Sequence, residues 1–311
     1  MIRLVARRIG WSILVIWFAI TVTFALTTAI PADPMKALLG PHATVETVAR
    51  ARAHYCLDDG VIVRYGCWVD RILHGDLGES YRTKRAVTAV LADRIWPTVQ
   101  LALAAVLIAL LLGVPLGILA AVRRGRWPDH AANALTLLAQ SAPPFLLGTL
   151  ALYVFAFRFG WFPISGYGTG GLDRLAHLVL PATTLAAIGI AYYARVVRGE
   201  LLESLGEDYV RTARAKGLPE RTVVLRHALR PVLGPLVTLI GLDLGVLLGG
   251  AVVVETIFAW PGIGREVLQS IVDVDLPLIL GTVLIAAIAI AVANLLVDLA
   301  LLWLDPRLRE Q

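Results

Sequence analysis

Two carboxylates stand in surroundings that disfavour charge. Asp243 lies in "LIGLDLGVLLGG" and Asp298 in "NLLVDLALLWL", each among aliphatic side chains. A carboxylate in such a run either faces a cavity or a polar partner, or takes part in proton chemistry. A working pair would suit a membrane-embedded enzyme of the aspartic protease kind. No surrounding motif supports that: the chain has no G-x-x-x-x-G-K-[ST] phosphate loop, no H-E-x-x-H and no G-x-S-x-G elbow. The histidines, His42, His54, His74, His130, His177 and His227, are scattered and make no ligand set by spacing. No catalytic, cofactor-binding or metal-binding residue is therefore expected.

The remaining reactive side chains are the two cysteines, Cys56 and Cys67 in "CLDDGVIVRYGC". In an oxidising compartment they pair, and a bridge closing so short a loop contributes up to ~3 kcal/mol on the chain-entropy view. Two buried thiols, or a site shared with His54, are the alternatives.

The elements that must carry these residues follow from composition. Hydrophobic residues make up 58% of the 311 and charged residues 16%, against about 45–50% apolar in ordinary soluble domains. Apolar runs long enough for ~30 Å of hydrocarbon occur at about Ile9–Ala29, Trp96–Val122, Ala131–Phe157, Leu175–Val197, Val232–Phe258 and Pro277–Trp303. The expected fold is an all-α membrane protein with six transmembrane helices. It divides into an N-terminal transmembrane helix (1–30), an extracytoplasmic loop (31–95) and a five-helix core (96–311) with a loop at 199–231. The first run, with Arg3, Arg7 and Arg8 ahead of it, is too long for a signal peptide and reads as a retained helix.

The formal charge of +5 raises the question of nucleic acid, but its placement answers otherwise. Arg123, Arg124, Arg126, the basic run from Arg195 to Arg230, Arg307 and Arg309 fall on the same side as the N-terminus, against Arg158, Arg174 and Arg265 in the opposite short loops. The positive-inside rule then places both termini in the cytoplasm. Membrane lipid, and not nucleic acid, is the implied surroundings.

Within the spans, Gly241, Gly245 and Gly249 recur at i, i+4 and i+8, a stripe that lets another helix approach closely. It serves packing inside the bundle or contact with a second subunit. "SAPPF" must kink the third span, and interruptions near mid-membrane often line solute routes. Gln140 and Ser141 join Asp243 as pathway candidates; satisfying the kink, or a structural hydrogen bond for Asp243, is the alternative.

Between spans four and five stands "DYVRTARAKGLPERTVVLRHALRP". Tyr209, Ala213 and Gly217 recur at i, i+4 and i+8 with Val210 beside them, while Arg211, Arg214 and Lys216 project elsewhere. This is an amphipathic helix ended by Gly217 and restarted after Pro219. Glu207 and Asp208 suit its positive end. Such a helix rests on anionic lipid or docks on a soluble partner.

This stretch resembles the EAA loop of inner-membrane permease subunits of ABC importers, in the form found in the dipeptide/oligopeptide/nickel family. "HGDLGESY", "VVETIFAWPGIGR" and "NLLVDLALLWLDPRLR" agree with it in the right order. The chain departs from the general pattern at Arg211, Thr212 and Pro231, and in its paired cysteines. The resemblance implies a non-catalytic permease half in the bacterial inner membrane, importing short peptides, with nickel or a metallophore as the alternative. It implies a second homologous permease, an extracytoplasmic solute-binding protein and two cytoplasmic ATPases that bind the ATP and Mg. Glu207, Asp208, Tyr209, Val210, Ala213, Lys216, Gly217 and Leu218 would form the coupling helix on which an ATPase acts.

Overall fold

The computed structural model describes residues 2–29, 56–249 and 251–304, with isolated positions 44, 46, 49, 52 and 53. His42, His54, Gly250, Arg307 and Arg309 lie outside the described residues, as does the side chain of Gln140. Apart from one isolated bridge between Glu79 and Ala86, the regular structure among the described residues is helical.

Helix α1 (Ile2–Ala29) leads to α2 (Val61–Leu73), α3 (Val87–Val122), α4 (Trp127–Ser141) and α5 (Pro144–Arg158). Then follow α6 (Gly171–Gly206), α7 (Asp208–Ala215), α8 (Glu220–Leu248), α9 (Val252–Ile257), α10 (Ile263–Val272) and α11 (Leu276–Leu304). Among the described residues four helices are long and apolar enough to cross a membrane, namely α3, α6, α8 and α11; the bent pair α4 and α5 makes a fifth if it is one span. Helix α1 contributes a shorter apolar stretch, Ile9–Ala25.

The most extensive helix pair is α3 with α6, and its closeness is written in glycine. A Cβ on Gly117 would lie 2.6 Å from the Ala194 carbonyl oxygen, and one on Gly113 2.9 Å from that of Ile190. From the other side, Gly189 faces the Ala109 Cβ at 3.0 Å. This is the small-xxx-small arrangement by which membrane helices gain contact area. The stripe singled out in the sequence is used more unevenly, and within the chain. A Cβ on Gly241 would collide with Val297 of α11, whereas Gly245 has only ordinary contact with Ile290, and a Cβ on Gly249 would meet the Val246 carbonyl oxygen of its own helix end at 3.2 Å.

The break at "SAPPF" is sharper than a kink: α4 and α5 meet at 101°. Pro143 is the N-cap residue of α5 and Pro144 opens its first turn, a position where the missing amide costs nothing. Pro231 does not end a helix. The chain runs on as α8 through a π-helical stretch, Val223–Ala228, just ahead of that ring. The wider turn accommodates a proline that would otherwise clash with the carbonyl of residue 227.

Three spans differ in extent from the sequence expectation. Helix α3 begins at Val87 rather than near Trp96, and α6 extends from Gly171 to Gly206, well past both ends of the expected apolar run. The expected span Val232–Phe258 is not one helix: α8 stops at Leu248, and α9 is a separate element. Glu255 of α9 is fully buried, and the turn after α9 brings its carboxylate to partners at the start of α10 and on α3. Its Oε2 accepts the Arg265 backbone N–H at 2.8 Å, and its Oε1 accepts the Thr98 hydroxyl at 3.0 Å.

Candidate functional site

Helix α7 departs from the end of α6 and is seated by two side chains. Val210 and Ala213 are buried, packed in one cluster with Val197 and Leu201 of α6 and with Val223, Val224 and Ala228 of α8. Their i, i+3 spacing defines the inward face. Ala213 therefore does not share an outward stripe with Tyr209 and Gly217, as the i, i+4, i+8 pattern suggested. Tyr209, Lys216, Gly217 and Leu218 are exposed. The Tyr209 hydroxyl is nevertheless tied back to Ser204, whose own hydroxyl donates to the Ala228 carbonyl at 2.8 Å.

The end of α7 is a two-bond cap: the Gly217 N–H donates to the Arg214 carbonyl and the Leu218 N–H to that of Ala213. It requires left-handed backbone at Gly217, which has φ +76. Across the turn Arg214 grips Glu220 with two nitrogens, at 2.7 and 3.1 Å. That hydrogen bonding raises the guanidinium above its ordinary pKa. At the start, Glu207 stands in extended backbone as the N-cap residue, and Arg211 pairs with Asp208 at 3.1 Å. The helix is held at both ends while its tip stays bare.

Ahead of α7, α6 carries a second anchor that the sequence reading passed over. Arg198 holds Asp129 with Nε at 2.6 Å and Nη2 at 2.9 Å. The Gly125 N–H and the Asn133 amide, each at 2.9 Å, also donate to this carboxylate. Asp129 is only 3% exposed, so the start of α4 is locked to α6 by a two-point ion pair whose oxygens are fully used.

Of the pathway candidates, Asp243 is half-buried in α8. The buried Tyr193 hydroxyl of α6 lies beside its carboxylate, without a hydrogen bond of ordinary geometry. Ser141 is exposed at the α4–α5 break, and its hydroxyl donates to the Leu137 carbonyl at 2.8 Å, so it satisfies its own helix. Cys56 and Cys67 are joined by a disulfide. Among the described residues no cluster of three or more His, Cys, Asp or Glu is arranged to hold a metal ion.

The stretch "VVETIFAWPGIGR" forms a knot against α3. Glu255 caps the first turn of α10, Thr98 of α3 also accepts the Ile263 N–H at 2.8 Å, and the fully buried Trp260 indole donates to the Pro97 carbonyl at 2.9 Å. Gly262 is required, because a Cβ there would overlap the Glu255 carboxylate. A similar clasp joins the stretch after α2 to the turn before α11: Ser80 donates to Asp275 at 2.6 Å, and Arg82 pairs with Asp273 at 2.8 Å.

Two regions of the chain match family descriptions: residues 113–310 match the binding-protein-dependent transport system inner membrane component, and residues 1–102 match the corresponding N-terminal membrane component. The chain belongs to this permease family. It is 39% identical, over 99% of both chains, to a protein of Brucella abortus (strain 2308) named as a peptide transport system permease. An Escherichia coli (strain K12) protein named for D,D-dipeptide transport is 39% identical over 98% of this chain and 97% of its own. A glutathione transport system permease of Salmonella typhi is 37% identical over 99% of both. A solved structure of the MetNI methionine ABC transporter, inward facing, is similar in fold with a TM-score of 0.54 at 20% identity, covering 70% of this chain and 96% of that one. The chain is thus a multi-pass membrane permease of an ABC importer.

Within this permease, Glu255, Thr98, Trp260, Asp129 and Arg198 were not singled out from the sequence. Glu255 and Trp260 do lie inside a stretch that carried the family resemblance, which was the available signal. Asp129 and Arg198 are 69 positions apart, and only the packing of α4 on α6 brings them together.

Proposed function

We propose that this permease forms one half of the translocation route of an importer of short peptides, spanning the membrane six times with both termini in the cytoplasm. The single observation that carries the substrate class is the full-length similarity to proteins named for peptide, dipeptide and glutathione transport; it favours peptides over nickel. The chain is non-catalytic and works with a second permease, a solute-binding protein and two ATPases that bind ATP and Mg. Helix α7 is the coupling helix. Its buried Val210 and Ala213 make it rigid with α6 and α8, and its exposed Tyr209, Lys216, Gly217 and Leu218 meet the ATPase, with Glu207 and Asp208 at its start. The Asp129–Arg198 pair carries the displacement of α6 into α4, the kind of rigid-body rocking that alternates access. Asp243 and Ser141, with Gln140, border the route.

Uptake of a labelled dipeptide into vesicles holding the assembled transporter tests this directly. ATP-dependent accumulation that needs this chain is expected, with no ATP-dependent entry of nickel ion. Peptide uptake unchanged by omitting the chain, or nickel uptake alone, would overturn the reading.

A further inference from the structure

Helix α2 presents an apolar stripe that no described part of the protein covers. Ile62 is 87% and Leu73 79% exposed, and Val69 between them is half-buried. Projected at about 100° per residue, these three fall within ~40° of one another. Beside this stripe runs the face that meets α1. The Tyr65 hydroxyl is 2.7 Å from that of Thr21, and the Phe24 ring lies 5.2 Å from Tyr65 and 5.4 Å from Trp68. The disulfide does not cover the stripe either, since Cys67 points about 140° away from its centre.

The depth of the α1 contact says what covers it. At ~1.5 Å per residue, Thr21 and Phe24 lie ~18 and ~22 Å along α1 from Ile9, within the ~30 Å of hydrocarbon that a span starting there must cross. The side of α2 that meets α1 therefore reaches ~10 Å inside the outer edge of that hydrocarbon, about the depth to which amphipathic surface helices bury their apolar face. Arg64, its guanidinium carbon 5.5 Å from the centre of the Phe24 ring, has the reach to place its charge among the headgroups. The geometry points to α2 as an interfacial anchor: Ile62, Val69 and Leu73 enter the acyl boundary of the lipid, and the bridge to Cys56 lies on the water side of the helix. The inference rests on α1 being a membrane span.

Both native cysteines are used in the bridge, so an engineered cysteine is the one reactive thiol. Nitroxide labels on Ile62→Cys, Leu73→Cys, Asp70→Cys and Phe18→Cys would be compared in the full-length chain. The protein would be purified with the subunits that accompany it and placed in vesicles of phosphatidylethanolamine and phosphatidylglycerol. Collision with oxygen, which concentrates in lipid, and with a water-soluble nickel chelate reads the surroundings. The oxygen-to-nickel ratio is expected to be several-fold higher at 62 and 73 than at 70, and comparable to that at 18. Water-like ratios at 62 and 73 with a lipid-like ratio at 18 would overturn the anchor alone. Shielding of 62 and 73 from both reagents would assign the stripe to a protein partner and also overturn it. A water-like ratio at 18 would remove the α1 span reading, and the anchor with it.

Discussion

Glu255 shows most directly how one residue holds this fold. Its carboxylate accepts a backbone N–H at the start of α10 and a hydroxyl from α3, with no water-exposed surface of its own. Glu255→Gln keeps the size but replaces one accepting oxygen with a donating amide, which must then face another donor. A buried group left unsatisfied costs about 1–3 kcal/mol, so the apparent melting temperature of the purified permease should fall by several degrees. Thr98→Ser, which preserves the hydroxyl, should melt close to the parent. An unchanged melting temperature for Glu255→Gln would mean that the carboxylate contributes shape and not hydrogen bonds. None of this is legible in periodicity. The turn after Ile257 is made by Ala259 at φ 50, with no glycine to announce it.

At the scale of the element, α7 separates two substitutions that looked equivalent in sequence. Ala213→Glu places a carboxylate in the cluster shared by α6, α7 and α8, where an unpaired charge is costly to bury. It should reduce recovery of the folded permease itself. Gly217→Arg acts outward: no atom lies within 4 Å of a Cβ there, so the side chain reaches whatever docks on the tip. The left-handed backbone adds roughly 1 kcal/mol for any L residue, a cost that Gly217→Ala shares. Normal recovery with loss of ATPase co-purification for Gly217→Arg, and retained co-purification for Gly217→Ala, is the expected pattern. Equal ATPase binding by Gly217→Arg and the parent would count against docking through this tip, and anionic lipid would even favour the added arginine. The sequence pattern located this helix and its glycine stop correctly, but it assigned Ala213 to the wrong side. On so short a helix, i, i+3 and i, i+4 stripes are nearly interchangeable until a neighbour chooses between them.

For the whole molecule, the seam between α3 and α6 matters more than the glycine stripe on α8. Gly117 meets backbone, which cannot move aside, whereas the atoms facing Gly241 belong to the side chain of Val297. Gly117→Leu should therefore abolish recovery of a monodisperse permease in size-exclusion chromatography, while Gly241→Leu should lower it less. Similar recovery for both would show that the two seams are equally tolerant. The amino-acid sequence by itself determined the membrane class, through apolar runs of sufficient length. It also determined the break at the paired prolines, the glycine stop of α7 and the family, through ordered motifs. Tertiary structure decided which glycines meet a neighbour, where Asp129 finds Arg198, that Val252–Ile257 is a helix separate from α8, and that α2 touches α1. The reason is one of contrast. In water, an apolar face announces a buried side, but lipid is as apolar as a helix interface, so hydrophobic pattern alone does not distinguish the side facing protein from the side facing the bilayer.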